Sequence, residues 1–393
     1  MTLSRRMFVR TLGVGGVGAL AVPAIAARGR EAALGRASGA SRPFSLVTGL
    51  FAAPSSAVRL DSNENPNGPG PAALEAIHGA LDEASRYPDM PEDRLQQAIA
   101  DSHKLVPDNV LLGCGSTEIL RMAVHQFTAE ARPLVTAAPT FEDPAGFAQA
   151  VGAPVSPVPL DRALRLDLSA MEAKASGAGL VYLCNPNNPT ATVHTLSEVK
   201  EFVARMGRSS PGTTILIDEA YFEYVDDPGY ATAIPVAIEN PRVIVSRTFS
   251  KVFGMAGLRV GYAVGSTATI KALSRHQLPS GVNLLGAAAA LASLDLKDHI
   301  EQQRRLNREA REFTRRYFET AGYKVVPSQT NFMMIDIRRD AKEFRAACRK
   351  RNVMIGRAFP PLTSHIRVTM GTMEEMRQAV EVFGQVLAGG SGV

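Results

Sequence analysis

From about residue 105 the chain repeats one pattern, a short apolar run followed by a longer amphipathic stretch with apolar residues three and four apart. The runs are NVLLG (109–113), PLVTA (133–137), LVYLC (180–184), TILIDEA (214–220), RVIVS (242–246) and RVGYAV (259–264). Strands alternating with helices in this way form an α/β fold on a parallel sheet with helices packed against it. Further on, YKVVPS, NFMMIDI and IRVTMG read as strands between amphipathic helices and predict a smaller second lobe. With 393 residues and 45% hydrophobic content, the chain is long enough for two lobes and a sizeable core.

Ligands of open α/β sheets gather beyond the carboxyl ends of the strands, so the residues after each run matter most. After the first come Gly115, Ser116 and Thr117, where a glycine, hydroxyls and the free N–H groups of a helix start suit an anion; a helix capped by Ser116 or Thr117 explains them equally well. The second leads to Pro139-Thr140-Phe141, and the third to the turn-rich Asn185-Pro186-Asn187-Asn188-Pro189-Thr190. Asp218 closes the fourth and Tyr221 follows it; a carboxylate there is a helix cap or the buried partner of a cation. Beyond the fifth, SRTFSKVFGMAGLRVGY supplies Ser250, Lys251 and Arg259, and hydroxyls with cations at one sheet edge suit a phosphorylated cofactor.

The rest of the sequence narrows the function by exclusion. Three of the charges behind a formal +5, Arg5, Arg6 and Arg10, lie in the first thirty residues, and without them +2 is left, which is no nucleic-acid signature. Cys114, Cys184 and Cys348 form no CxxC pair, and the seven histidines form no HExxH, so neither a disulfide framework nor a metal site is expected. Residues 1–26 carry Ser4-Arg5-Arg6-Met7-Phe8, an apolar run too short to span a membrane, and an Ala24-x-Ala26 cleavage site, the features of a twin-arginine signal peptide. That pathway exports folded proteins, often because they take up a cofactor first, which predicts a periplasmic or otherwise exported protein that meets the twin-arginine machinery. Residues 27–56 read as a linker or arm.

Taken together, these motifs resemble the class I/II aminotransferases of fold type I, most closely the histidinol-phosphate aminotransferase branch. Further carriers are Leu60-Asp61-Ser62-Asn63-Glu64-Asn65-Pro66-Asn67-Gly68-Pro69, Arg86-Tyr87-Pro88, Thr330-Asn331-Phe332 and Ile366-Arg367-Val368-Thr369-Met370-Gly371. The resemblance implies a large domain (95–295) with a mostly parallel seven-stranded sheet flanked by helices, and a smaller α+β domain from 57–94 and 296–390. It implies pyridoxal 5'-phosphate as cofactor, with Lys251 forming the Schiff base and Asp218 facing the pyridine nitrogen. Asn188 and Tyr221 would bond the phenolic oxygen and Phe141 would stack on the ring. Gly115, Ser116, Thr117, Ser250 and Arg259 would hold the phosphate. Tyr87 would reach the phosphate of a neighbouring subunit, making the active unit a homodimer. Arg367 would grip the carboxylate of an amino acid or 2-oxo acid, and Arg357 a distal phosphate.

Two positions depart from the branch: Ala191 stands where a glycine usually follows Asn-Pro-Thr, and Phe141 where tyrosine is more frequent. The expected function is an exported aminotransferase working on an amino acid or amine. Decarboxylation, racemisation, elimination or oxidation by the same residues, and a non-catalytic binding protein on the same fold, are the alternatives.

Overall fold

The computed structural model describes residues 57–389. The segments 1–26 and 27–56, read as signal peptide and linker, lie outside the described residues.

Strand β1 (Val58–Leu60) opens the described chain, and the large sheet follows with β2 (Val110–Cys114), β3 (Leu134–Ala138), β4 (Val155–Pro159), β5 (Leu180–Cys184), β6 (Thr214–Asp218), β7 (Val243–Thr248) and β8 (Val260–Gly265). Its order is β2-β8-β7-β6-β5-β3-β4, with β8 antiparallel to both neighbours and the other pairs parallel. Side chains alternate across a strand, so each run feeds two cores. Val135, Val181, Ile215, Ile217, Val243 and Val245 join one apolar cluster, while Leu134, Leu180, Tyr182, Leu216 and Ile244 join the other. Burial on both faces is why these runs are continuously apolar.

Helices cover both faces. Leu196–Ser209 starts at a capping box, in which Thr195 and Glu198 satisfy each other's backbone N–H, and buries Val199, Phe202, Val203 and Met206 on the first cluster. Gly115–Phe127 buries Ile119, Leu120, Ala123 and Val124 on the second.

The second lobe holds β9 (Lys324–Val325), β10 (Phe332–Asp336), β11 (Val353–Ile355) and β12 (His365–Thr369), with β10 antiparallel to β9 and β12, and β1 parallel to β11. The expected grouping of 57–94 with this lobe fails for most of that stretch. Val58–Leu60 pairs there, but helix Pro71–Ala80 packs against helix Leu284–Ser293 and joins the large lobe's apolar cluster through Ala73, and helix Asp89–Ser102, whose first turns belong to 57–94, packs on the same helix.

The sequence pattern also passed over β4. Its VSPVP holds two prolines, which cannot donate to a ladder, and the strand accordingly sits at the sheet edge.

Candidate active site

The carboxyl edge of the large sheet gathers the predicted residues. A cavity of about 580 Å³ there is lined by Ser116, Thr117, Phe141, Asn188, Asp218, Tyr221, Ser250, Lys251, Arg259, Arg357 and Arg367. Arg259 belongs because β8 runs antiparallel, which brings its amino end to the edge where the other strands finish.

Asp218 ends β6 and is 3% exposed. Its Oδ1 accepts from Ser246 Oγ at 2.8 Å and its Oδ2 from Tyr182 Oη at 2.9 Å. Burial pushes its carboxyl above the ordinary range, and the two hydroxyls with nearby Lys251 pull it back. Of the two sequence readings, helix cap or buried partner of a cation, the described residues supply neither a helix that Asp218 caps nor a paired cation. Among the described residues no cation forms an ion pair with it, so a carboxylate is kept at the cavity wall with only neutral donors touching it. Such a group is costly unless it faces a positive charge.

Lys251 lies three residues past the end of β7, partly buried, with Nζ donating to the Asn63 carbonyl at 3.1 Å and lying 5.4 Å from the Tyr221 ring centre. Burial first, and the Arg367 charge second, lower its amine from 10.5 to about 8. Arg367, on β12, donates from Nη1 to Asn188 Oδ1 at 2.7 Å and from Nη2 to the Asp61 carbonyl at 2.6 Å, while its buried Nε has no partner. Burial lowers it to about 10, which still leaves it charged at neutral pH.

Gly115 and Arg259 fit each other. Gly115 has φ +72°, a conformation that favours glycine, and a Cβ there would meet Arg259 Nη2 at 2.2 Å and push the guanidinium from its place. Arg259 itself is left-handed at φ 56°, a strained state for an arginine, and donates from Nη1 to Ser250 Oγ at 3.2 Å and to the Ala256 carbonyl at 2.9 Å. Ser116 and Thr117 fall in the first turn of helix Gly115–Phe127 rather than at its cap. Cys114 occupies the cap, with its N–H donating to Glu118 Oε2 at 2.6 Å. The first-turn N–H groups, the hydroxyls and Arg259 form a cluster of donors at a helix N-terminus, chemistry that suits an anion.

Phe141 is partly buried in the cavity wall and packs against the second apolar cluster. Arg357 is at the cavity but paired with Glu142. Tyr87 is 84% exposed and does not line the cavity of its own chain.

Sequence reasoning gave Asn63 no role, although it ties the site together. Its Nδ2 donates to Tyr221 Oη at 3.0 Å, its carbonyl also accepts from Asn331 Nδ2, and Thr369 Oγ1 bonds both its N–H and its Oδ1. Its φ is 55°, in the left-handed region that asparagine tolerates, a feature only the structure reveals. Tyr182, Glu142 and Arg345 were also passed over, and Ser246 was read as one of the hydroxyls at the sheet edge rather than as a donor to Asp218; both Tyr182 and Ser246 look like ordinary strand residues until β5, β6 and β7 are aligned.

Comparison with known proteins agrees with this arrangement. Residues 55–383 match the family described as aminotransferase class I and II. The histidinol-phosphate aminotransferase of Symbiobacterium thermophilum is 37% identical over 335 residues, covering 85% of this chain and 91% of that protein. Histidinol-phosphate aminotransferase 2 of Pseudomonas aeruginosa is 36% identical over 340 residues, covering 85% and 90%. Among solved structures, the histidinol-phosphate aminotransferase of Sinorhizobium meliloti in complex with pyridoxal-5'-phosphate superimposes with a TM-score of 0.79 at 28% identity, covering 90% of this chain and all of that one.

Proposed function

Because the chain belongs to the class I and II aminotransferases, enzymes that use pyridoxal 5'-phosphate, we propose that this cavity moves an amino group from an amino acid or amine to a 2-oxo acid. The carrying observation is that Lys251, Asp218, Arg259 and Arg367 line one cavity.

The residues fit the cofactor. The buried Asp218 carboxylate, held by neutral donors, is the partner a protonated pyridine nitrogen needs, and the helix start with Arg259 and Ser250 suits a phosphate. When bound, the cofactor supplies a positively charged ring that withdraws the electron pair left on the substrate carbon. Asp218 keeps the proton on the ring nitrogen. Phe141 would pack on the ring face, and Asn188 with Tyr221 would bond its oxygen.

Lys251 would carry the cofactor, and its Nζ, when free, would take the substrate's α-proton and return it. An amine at about 8 is neutral in a useful fraction near pH 7, which an amine at 10.5 is not. Arg367, pinned by Asn188 and Asp61, holds the substrate carboxylate with its planar fork.

The exposed Tyr87, beside exposed Leu81 and Met90, supports a homodimer in which Tyr87 reaches the partner's phosphate site. The twin arginines, ahead of the start of the family match at residue 55, support export through the twin-arginine machinery. The relatives' names support a substrate like histidinol phosphate in its amine, and an exported enzyme is placed to use such chemistry outside histidine synthesis.

The test is a screen of amino donors with 2-oxoglutarate. Glutamate formation is expected, together with visible cofactor absorbance that Lys251→Ala abolishes. Carbon dioxide or ammonia without glutamate would overturn transfer as the reaction. Export is tested by fusing residues 1–56 to a reporter and replacing Arg5 and Arg6 with lysine, which should hold the reporter in the cytoplasm.

A further inference from the structure

Two charged residues of the cavity lining satisfy each other. Arg357 Nη2 lies 2.5 Å from Glu142 Oε2. Glu142 directly follows Phe141 on the loop after β3, whereas Arg357 follows β11 in the second lobe, so the pair joins the two lobes across one cavity. The Arg357 guanidinium carbon is 4.2 Å from the Phe359 ring centre, and that of Arg367 is 4.9 Å from the same centre. The two guanidinium carbons are therefore no more than 9.1 Å apart, the sum of those distances. A five-carbon dicarboxylate can engage both. Arg345, whose Nε donates to the Ile355 carbonyl at 3.2 Å, lines the same cavity and adds a second cation on the Arg357 side.

We propose that Glu142 is a specificity-determining residue whose carboxylate occupies Arg357 as an internal substitute for a substrate's distal anion. A ligand ending in carboxylate or phosphate has to displace Glu142, and one with an uncharged end binds with the pair intact. The inference rests on the reading of Arg367 as the holder of the α-carboxylate.

Displacement is feasible because the pair is half in water. The side chains of Arg357 and Glu142 are 44% and 67% exposed, so a released Glu142 swings into solvent and Arg357 exchanges one anion for another. An aminotransferase must take two different acids into one cavity in turn. With this pair, a donor without a distal charge and an acceptor with one can share the site without leaving Arg357 unpaired in either complex.

The experiment measures binding of glutarate, 4-phosphonobutyrate and pentanoate to the full-length holoenzyme by calorimetry, for wild type, Glu142→Gln and Glu142→Asp. Glu142→Gln is expected to raise the affinity ratio of glutarate or 4-phosphonobutyrate over pentanoate about fivefold, corresponding to an ion pair of ~1 kcal/mol. Glu142→Asp should return the ratio towards wild type, which a merely structural role for Glu142 would not produce. The anion with the larger gain identifies the distal group as carboxylate or phosphate. A ratio unmoved for both anions overturns the role of Glu142 while leaving Arg367 in place. If pentanoate does not bind wild type at all, the assignment of Arg367 fails and this inference fails with it.

Discussion

Replacing Lys251 with methionine should stabilise the cofactor-free protein at neutral pH. The folded chain holds this amine at about 8 against an ordinary 10.5, chiefly through burial and then through Arg367. At ~1.4 kcal/mol per pH unit, that gap makes the charged amine cost about 3 kcal/mol of stability. Below pH 8 the amine is protonated in both folded and unfolded states and the whole cost is present. Between 8 and 10.5 the folded amine is neutral while the unfolded one still binds a proton, so the cost shrinks as pH rises, and above 10.5 it is gone. Methionine fills most of the same space, one atom shorter, without the charge. It loses the bond to the Asn63 carbonyl, worth about 1 kcal/mol, so the net gain expected at pH 7 is about 2 kcal/mol. Guanidinium unfolding at one protein concentration, for wild type and variant at pH 7, 8.5 and 10.5, reads this directly. A variant less stable than wild type at pH 7, or a gap of the same size at all three pH values, would refute the account of Lys251.

Asp218→Asn should cut kcat/KM for glutamate formation by at least ~10²-fold, because nothing then holds the ring proton. The same change should stabilise the cofactor-free protein at neutral pH: burial raises the folded carboxyl above 3.8, so its ionised form is a cost that the amide removes, and denaturant unfolding gives the sign. Arg367→Lys trades a planar fork fixed by Asn188 and Asp61 for a point charge, and KM for the amino donor should rise about tenfold in steady-state assays. Ala191 is buried at φ 63°, where relief of left-handed strain of ~1–2 kcal/mol outweighs a buried methyl of ~0.8 kcal/mol, so Ala191→Gly should raise stability slightly in the same unfolding assay.

The sheet was legible because its strands are buried on both faces: the runs ending at Cys184 and Asp218 are apolar at nearly every position, and no turn interrupts them. Lys251, Asp218 and Arg259 were legible because strand ends are where chemistry collects, and each sits at or next to one. What stayed hidden depends on pairing between distant segments. Asn63 looks like a loop residue until Asn331, Thr369 and Tyr221 close around it, and Glu142 looks like a surface charge until Arg357 is brought opposite from the second lobe. The placement of residues 71–94 was missed for a related reason. Helix Pro71–Ala80 shows a wide apolar face with no sequence mark of its partner, and only the fold reveals helix Leu284–Ser293 beneath it.

The bonds around Asn63 also impose an order on biosynthesis. Asn63 leaves the ribosome among the first residues of the described chain, yet Asn331 and Thr369, which hold it, are among the last. β1 waits in the same way for β11. The large sheet can collapse during translation, but the loop that receives the Lys251 amine cannot be fixed until translation is nearly finished. A truncated chain can therefore carry every strand of the large sheet, with Lys251 and Asp218 in place, and still lack a finished site.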